Sequence, residues 1–325
     1  MPYTLEPTPL RLRIWQQNLN KSSPAHYDLI NSPLHKDWDL LTLQEPYIDA
    51  FGNTKVNSQW HVIYPTAHLT NDIACRSVIL VNAALDVNGW TQIPVANTND
   101  VSAVQLQTSR GRITVFNIYN NCTHSDALAA LRQSIQANCN NMLGRHDDGL
   151  IWCGDFNQHH AMWDEERNHH LFTASATTEA ELLISLLAEF NMTMALPRGI
   201  PTLQAMNTKN WTWVDNVFTT ENLAELLICC DTDPRRRGPG TDHIPILTIA
   251  DLEVQKGTAD SFRDFQSTNW DNFHEELVQQ LEDIPDPCVI QTEGQFQEVV
   301  SDLIGAIQAA IEVKVPISKP TPFSR

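Results

Sequence analysis

The sequence predicts an α/β protein in which two β-sheets pack against each other and are flanked by helices. Ten short runs have the length and the β-branched or aromatic content of strands, and Asn, Pro, Gly or Asp bounds each of them. A few amphipathic stretches with helical spacing are interspersed among these runs. Because they do not alternate regularly with the strands, the pattern favours a sandwich over a βαβ repeat.

The predicted strands are distributed over the first 250 residues of the chain. They are residues 12–16, 39–43, 61–64, 77–81, 101–107, 112–118, 150–153, 213–219, 226–230 and 244–249. One predicted helix begins after Ser125. A second covers residues 180–190 and is opened by a capping-box pattern at Thr178.

A change in the sequence pattern near residue 250 predicts that the chain has a main domain and a C-terminal extension. The strand pattern stops there and a polar stretch follows, so we expect a main domain over residues 10–250 and an extension over residues 251–325. In the extension, residues 270–281 and 295–313 carry apolar residues at helical spacing, which predicts two helices. The chain ends in a Pro-rich segment that is typical of an extended linker.

Composition and charge narrow the class of protein. Apolar residues make up 42% of the sequence and charged residues 18%, which predicts a globular chain. The net charge of −18 argues against a broad basic face for nucleic acid. Seven cysteines without a C-x-x-C pair do not fit a zinc or disulfide framework. With no signal-peptide pattern and no 18-residue apolar run, we expect an intracellular protein that does not enter membranes.

Polar residues recur at the ends of the predicted strands. They are Asn18, Glu45, Tyr119, Asp155, Asn157, Asp215, Asp242 and His243. Each of them alone is typical of a loop or turn. Together they match the needs of phosphodiester hydrolysis, which requires a cation, a positioned water and a proton donor. The set therefore predicts a divalent-metal phosphoesterase.

The order of these motifs resembles a known superfamily. Gln-Asn, Gln-Glu, Tyr, Gly-Asp-Phe-Asn, Asp-Asn and Thr-Asp-His follow one another, over roughly residues 11–250, as in the endonuclease/exonuclease/phosphatase superfamily. That resemblance implies a DNase I-like four-layer α/β sandwich, here with a short helical C-terminal extension. The runs WQQNLNKS, LQEPYID, GDFNQHHAMWDEERNHHLF, VDNVF and VPISKPTPF are similar to the endonuclease domain of fungal LINE-type non-LTR retrotransposons.

The resemblance also implies a metal site. Glu45 and Asn18 would hold Mg²⁺ or Mn²⁺, hard cations suited to carboxylates, waters and a phosphate oxygen. Asp242 would assist the metal and the attacking water.

The remaining roles are implied in the same way. Asp155 would orient or deprotonate the attacking water, and Asn157 and Tyr119 would contact the scissile phosphate. His243 would act on the phosphate as acid, base or electrostatic clamp, with its tautomer fixed by Asp215. A histidine held by a carboxylate has a raised pKa and can be charged when it faces a phosphate.

The expected function is that of a DNA-nicking endonuclease derived from a non-LTR retrotransposon, nuclear if it acts on chromosomal DNA. In such elements the linker leads into a reverse transcriptase. The sequence shows no polymerase motif, so a reverse transcriptase encoded elsewhere would be the partner. Two alternatives stay open at this point: the same chemistry on RNA, inositol phosphate or phospholipid, and a non-cutting domesticated remnant that binds nucleic acid or a partner.

Two further features have two interpretations each. Arg235, Arg236 and Arg237 form either a solvated charge run or a local phosphate-binding patch near His243. The pairs His159/His160 and His169/His170, with Asp164, Glu165 and Glu166 between them, look like a transition-metal cluster. Their spacing fits no zinc signature, so we expect a loop there.

Overall fold

A computed structural model describes residues 11–69, 74–165, 174–256, 262–282, 284–285 and 289–318. The chain divides into two compact units, Met1–Gly257 and Thr258–Arg325. The sequence places the division at residue 250, whereas in the structure Leu252 and Val254 still pack in the core of the first unit.

The first unit contains fourteen strands and five helices among the described residues. The strands are β1 (Leu12–Asn18), β2 (Leu40–Gln44), β3 (Trp60–Ile63), β4 (Ser77–Asn82), β5 (Trp90–Gln92), β6 (Val101–Gln107), β7 (Arg112–Tyr119), β8 (Gly149–Asp155), β9 (Met192–Met194), β10 (Leu203–Gln204), β11 (Trp211–Thr212), β12 (Asp215–Thr220), β13 (Leu227–Thr232) and β14 (Ile246–Ala250). The helices are α1 (Ser23–Asn31), α2 (Asp126–Ala137), α3 (Cys139–Met142), α4 (Ala174–Glu189) and α5 (Glu221–Ala224).

Twelve of these strands form two six-stranded sheets. The first sheet has the order β13-β14-β1-β2-β4-β3, and the second has the order β5-β6-β7-β8-β12-β9. Each sheet has one parallel pair, β1 with β2 and β7 with β8, and is otherwise antiparallel. The strands β10 and β11 form a separate small hairpin. All ten predicted strands are confirmed.

Three apolar clusters divide the unit into four layers. One cluster lies between the two sheets and joins residues such as Ile14 and Leu40 to Val115 and Ile151. A second packs α1 on the outer face of the first sheet, and a third packs α2 and α4 on the outer face of the second. Both faces of the central strands are therefore covered, which explains why apolar residues occur on both faces of strands such as β4 and β8. The predicted two-sheet sandwich is confirmed.

The helix after Ser125 is confirmed as α2, but the predicted start of the next helix is wrong. Helix α4 begins at Ala174, so Thr178 lies inside the helix and does not cap it. The first turn of α4 carries small residues rather than an apolar stripe, and periodicity therefore gives no signal there.

The second unit is a helical hairpin, as predicted for the extension. It consists of α6 (Trp270–Glu282) and α7 (Glu293–Lys314), with a two-residue strand pair of β15 (Phe262–Arg263) and β16 (Ile317–Ser318). A reciprocal capping box between Thr292 and Gln295 opens α7. Among the residues that the structure describes, no helix is both long enough and apolar enough to cross a bilayer.

Candidate active site

The predicted site residues converge at one end of the two sheets. Asn18, Tyr119 and Asp155 are the last residues of their strands, and Asp215 is the first residue of β12. In the sheet register Asp155 lies opposite both Tyr119 and Asp215. Because β8 is parallel to β7 and antiparallel to β12, the end of β8 meets the end of β7 and the start of β12.

Asp155 is held by hydrogen bonds from both sheets. Its side chain is buried, and Oδ2 accepts a hydrogen bond of 2.8 Å from Asn18 Nδ2. Its Oδ1 accepts one of 3.1 Å from the backbone N–H of Asn157. Burial, followed by the nearby charge of Asp215, raises the pKa of Asp155 to about 7. Asp155 can therefore exchange a proton near neutral pH.

His243 lies between three carboxylates. Its Nδ1 is 2.8 Å from Asp215 Oδ2, and its Nε2 is 4.0 Å from Asp155 Oδ2 and 3.9 Å from Asp242 Oδ1. Burial lowers the pKa of His243, but the charges of Asp215, Asp155 and Asp242 outweigh it and raise the pKa to about 9. The imidazole is therefore a buried cation at neutral pH, oriented through Nδ1.

Glu45 follows β2 in an uncommon backbone conformation. Its φ is +43°, a region that costs a non-glycine residue roughly 1–3 kcal/mol and is often found at functional sites. One carboxylate oxygen lies 3.1 Å from the ammonium of the exposed Lys21. Asn18, the last residue of β1, lies opposite Gln44 on the parallel strand β2. Glu45, the residue after Gln44, therefore lies next to the end of β1.

Tyr119 is present as a neutral phenol. Burial, followed by the charges of Glu45 and Asp155, raises the pKa of its hydroxyl. The guanidinium of Arg76 stacks over the ring at 4.7 Å from its centroid and is itself held by two hydrogen bonds to Asp100. The hydroxyl is thus a proton donor near two acidic residues of the site.

The turn after Tyr119 is tied to the strand end that carries Asp155. Asn120, Asn121 and Cys122 follow Tyr119 in this turn. Asn120 Nδ2 donates to the carbonyl of Phe156 at 3.0 Å, and Asn157 Nδ2 donates to the carbonyl of Asn120 at 2.8 Å. Two asparagine side chains thus fix the turn.

The three arginines before His243 have different surroundings. Arg235 and Arg236 both pair with Asp233, and the side chain of Arg235 is 89% exposed. Arg237 donates to the Gln204 side chain at 3.3 Å, and its carbonyl accepts from Gln17 Nε2. Gln17 Nε2 also donates to the carbonyl of His243. Of the three arginines, Arg237 is therefore the one linked to the site.

In the histidine-rich segment, the described residues form no group of side chains whose ligand atoms lie close enough to hold one metal ion. His160 Nδ1 accepts a hydrogen bond from the backbone N–H of Met162, and its ring packs against Trp163. Glu166, His169 and His170 lie outside the described residues. Within the described part of the chain, one group of His, Cys, Asp or Glu side chains has its ligand atoms within 4.8 Å of one another, namely Asp155, Asp215 and His243.

That group differs from the metal ligands expected from the sequence, which are Asn18, Glu45 and Asp242. Both oxygens of Asp215 accept hydrogen bonds, from Gln16 and His243, and both oxygens of Asp155 accept them from Asn18 and Asn157.

Further oxygen donors at this end of the sheets belong to Glu45, Asp155, Asp242 and Asn18. Such a set suits a hard divalent cation and not a thiophilic metal. The residues present therefore fit Mg²⁺ or Mn²⁺.

Two residues that position the site, Thr241 and Gln16, were not predicted from the sequence. The Thr241 hydroxyl donates to the carbonyl of Asn18 at 2.9 Å and accepts from the backbone N–H of His243 at 3.2 Å. Gln16 Nε2 donates to Asp215 Oδ1 at 3.2 Å. A signal existed for Gln16, because a glutamine in a central, covered strand needs a buried hydrogen-bond partner.

Comparison with known proteins finds similar folds and one family model. Residues 113–247 match the family model described as "Endonuclease-reverse transcriptase". The endonuclease domain of TRAS1, a telomere-specific non-LTR retrotransposon, is similar with a TM-score of 0.58 and 22% identity, over 76% of this chain and 100% of that domain. The AP endonuclease LMAP from Leishmania major has a TM-score of 0.57 and 14% identity, over 74% and 88% of the two chains.

A third similar structure is the catalytic domain of Xenopus laevis APE2, with a TM-score of 0.56 and 14% identity, over 76% of this chain and 94% of that one. No curated protein gave a significant match.

The segment that the family model matches, residues 113–247, contains Tyr119, Asp155, Asp215 and His243. The fold, two packed sheets flanked by helices, is the DNase I-like α/β sandwich that these similar structures share. The fold expected from the motif order is thereby confirmed.

Proposed function

We propose that this protein is a divalent-metal-dependent endonuclease that nicks DNA by hydrolysis, leaving a 3′-hydroxyl and a 5′-phosphate. The observation that carries the proposal is the position of His243. Its Nδ1 is fixed by Asp215 at 2.8 Å, and its Nε2 faces Asp155 at 4.0 Å. A buried imidazolium beside a carboxylate whose pKa lies near 7 supplies both a cation for the phosphate and a group that can accept a proton from water.

The proposed roles follow from the hydrogen bonds. Asp155, held by Asn18, orients and deprotonates the attacking water through its carboxylate. His243 donates from Nε2 to a phosphate oxygen, while Asp215 keeps its Nδ1 protonated. Tyr119 donates its phenolic proton to the phosphate, since its pKa is raised and the hydroxyl stays neutral. Asn157 donates its free amide proton to the same group, since one Nδ2 proton is used by Asn120.

A divalent cation completes this arrangement. Glu45, Asp155 and Asp242 bring three carboxylates to a site whose substrate is itself an anion, and His243 neutralises one charge only. Glu45 and Asn18 would hold Mg²⁺ or Mn²⁺, with Asp242 assisting. Bound there, the ion would neutralise charge on the phosphate oxygens and on the leaving oxygen.

DNA is the proposed substrate because of the similar structures. The TRAS1 domain is named as an endonuclease of a retrotransposon, and two others are named as an AP endonuclease and as the APE2 catalytic domain. Arg237, whose carbonyl is linked to that of His243 through Gln17, provides a further cation for contact with the DNA backbone.

A retrotransposon origin is part of the proposal. The description of the family model names a reverse transcriptase, and the nicked strand would offer its 3′-hydroxyl as a primer to a reverse transcriptase. On that proposal the protein acts in the nucleus, where chromosomal DNA is the target.

Plasmid relaxation tests the proposal. Purified protein with Mg²⁺ is expected to convert supercoiled plasmid into open circles, and both EDTA and Asp155→Ala are expected to abolish the product. Exposed Asp251→Ala is the matched control and should keep full activity. A preparation that leaves the plasmid supercoiled, or whose product survives EDTA and Asp155→Ala equally, would refute the proposed function.

A further inference from the structure

Three buried amide side chains form a hydrogen-bonded chain that crosses between the two sheets and ends on Asp215. Gln16 Nε2 donates to Asp215 Oδ1 at 3.2 Å and to Gln44 Oε1 at 2.8 Å. Gln44 Nε2 in turn donates to Asn117 Oδ1. Gln16 is 1% exposed, and Gln44 and Asn117 are fully buried. The amide chain, defined as Gln16, Gln44 and Asn117, therefore lies beneath the site and out of reach of a substrate.

The backbone fixes the direction of every hydrogen bond in the amide chain. Asn117 Nδ2 donates to the carbonyls of Leu43 at 2.9 Å and Val78 at 2.8 Å, and carbonyl oxygens only accept. The oxygen of Asn117 must then face Gln44. The oxygen of Gln44 must face Gln16, and the nitrogen of Gln16 must face Asp215. A flipped amide anywhere in the chain would place two acceptors or two donors against each other.

Gln16, at the end of the amide chain opposite Asn117, holds the carboxylate of Asp215. With Oδ1 bound by Gln16 at 3.2 Å, Oδ2 is left pointing at His243 Nδ1 at 2.8 Å. The terminal torsion of an aspartate is broad and has little preference of its own. A second contact is therefore needed to hold Asp215 in the orientation that serves the histidine.

We infer that Gln16 is a positioning residue, which orients Asp215, and through it His243, by way of the hydrogen-bonded amide chain. The inference deepens the proposed function, on which its kinetic test rests. Gln16 does not touch the substrate. Its loss should lower the rate of the chemical step and leave binding unchanged.

The first experiment replaces Gln16 by methionine, which keeps the volume and removes the donor. Gln16→Met is expected to lower kcat for plasmid nicking about tenfold or more with an unchanged KM, since a hydrogen bond to a charged group is lost. Gln105→Met is the matched control. Gln105 is also a buried sheet glutamine, but it donates to Thr114 and to the carbonyl of Asn141.

Thermal unfolding of all variants accompanies the kinetics. Should Gln16→Met unfold below the assay temperature, Gln44→Met interrupts the same amide chain one side chain farther from Asp215 and carries the same expectation. Equal kcat in Gln16→Met and Gln105→Met would overturn the inference.

A double-mutant cycle separates positioning from general loss of structure. In an Asp215→Asn background, Gln16→Met is expected to cause no further loss of kcat, because the carboxylate it orients is already gone. If the two losses multiply, Gln16 acts independently of Asp215 and the inference fails.

A spectroscopic readout does not depend on nicking. The Nδ1–H proton of His243, assigned by its absence from the spectrum of His243→Gln, is expected to resonate far downfield in the wild type. In Gln16→Met it should shift or broaden, and in Gln105→Met it should not. An unchanged resonance in Gln16→Met would overturn the inference even in a protein that nicks no plasmid, whereas inactive wild-type protein with the expected resonance change would refute the proposed function alone.

Discussion

The Nδ1 atom of His243 lies 2.8 Å from Oδ2 of Asp215, and this contact joins the two sheets. Asp215 opens β12 in the second sheet, whereas His243 lies shortly before β14 of the first. The pair keeps the imidazole protonated and aims its Nε2 at Asp155 and Asp242. A histidine held in this way is oriented without any contribution from the substrate.

Asp215→Asn is expected to reduce kcat by about a thousandfold or more, by analogy with loss of the carboxylate partner in other Asp–His pairs. The amide can donate to Nδ1 and so favour the wrong tautomer. Single-turnover nicking measures the effect, with exposed Asp251→Asn as the control. Activity within a few-fold of the wild type would show that His243 needs no carboxylate.

Glu45→Gln is expected to raise the Mg²⁺ concentration for half-maximal nicking at least about tenfold, because removing a ligand charge weakens binding of a hard cation. Titration of Mg²⁺ at fixed plasmid measures the shift. Glu253→Gln changes an exposed carboxylate elsewhere and should leave the curve in place. Superimposable curves for Glu45→Gln and wild type would remove Glu45 from the metal site.

The stability of the metal-free protein is expected to fall as pH rises from about 6.5 to about 9. The pKa of His243 is raised from 6.5 to about 9 in the folded state, so its stabilising contribution is fully present below 6.5 and is lost as pH rises through about 9. Urea unfolding in EDTA across this range measures the slope.

His243→Gln should flatten that slope, since the proton bound by the folded state is no longer present. Parallel pH profiles for the variant and the wild type would contradict the raised pKa.

Arg237→Ala is expected to raise KM for DNA several-fold and to reduce the salt dependence of binding by about one counterion, as for loss of one phosphate contact. Arg235→Ala is the matched control, because Arg235 points into solvent and pairs with Asp233. Binding to a short duplex at several salt concentrations measures both. Equal effects of the two substitutions would favour a general charge run over a specific contact.

Gly154→Ala is expected to destabilise the protein by about 1–3 kcal/mol, the usual cost of forcing extra atoms into a packed core. A Cβ at this position would collide with the carbonyl oxygen of Ile118 on the parallel strand β7. Urea unfolding measures the loss. Gly305→Ala on α7, where a Cβ meets open space, should be neutral or stabilising. A Gly154→Ala variant as stable as wild type would show that the strands can separate at little cost.

Local pattern was sufficient to predict the strands and the class of fold. Strands such as β4 and β8 are buried at every residue, so they occur in the sequence as apolar runs that can be recognised directly. The start of α4 was mispredicted because small residues at Ala174 and beyond give no periodic signal. Periodicity depends on apolar residues at regular spacing, so it gives no signal where small residues open a helix.

Side-chain pairing could not be predicted in the same way. The contact of Gln16 with Asp215 spans 199 residues and depends on how two sheets pack, which no local pattern records. The three adjacent arginines look alike in the sequence, but in the structure Arg235 and Arg236 pair with Asp233, whereas the Arg237 side chain contacts Gln204. The motif order indicated which residues belong to the site, and the hydrogen bonds indicate how each of them is held.

The pairing of β1 with β14 has a consequence for how the protein is made. These are the first and last strands of the first unit, and they lie side by side in one sheet. A chain emerging from the ribosome therefore carries Asn18 early but acquires His243 only when the unit is almost fully synthesised. Until then the side chains of Asn18 and His243 cannot lie in one site, so the last strand of the unit completes the site.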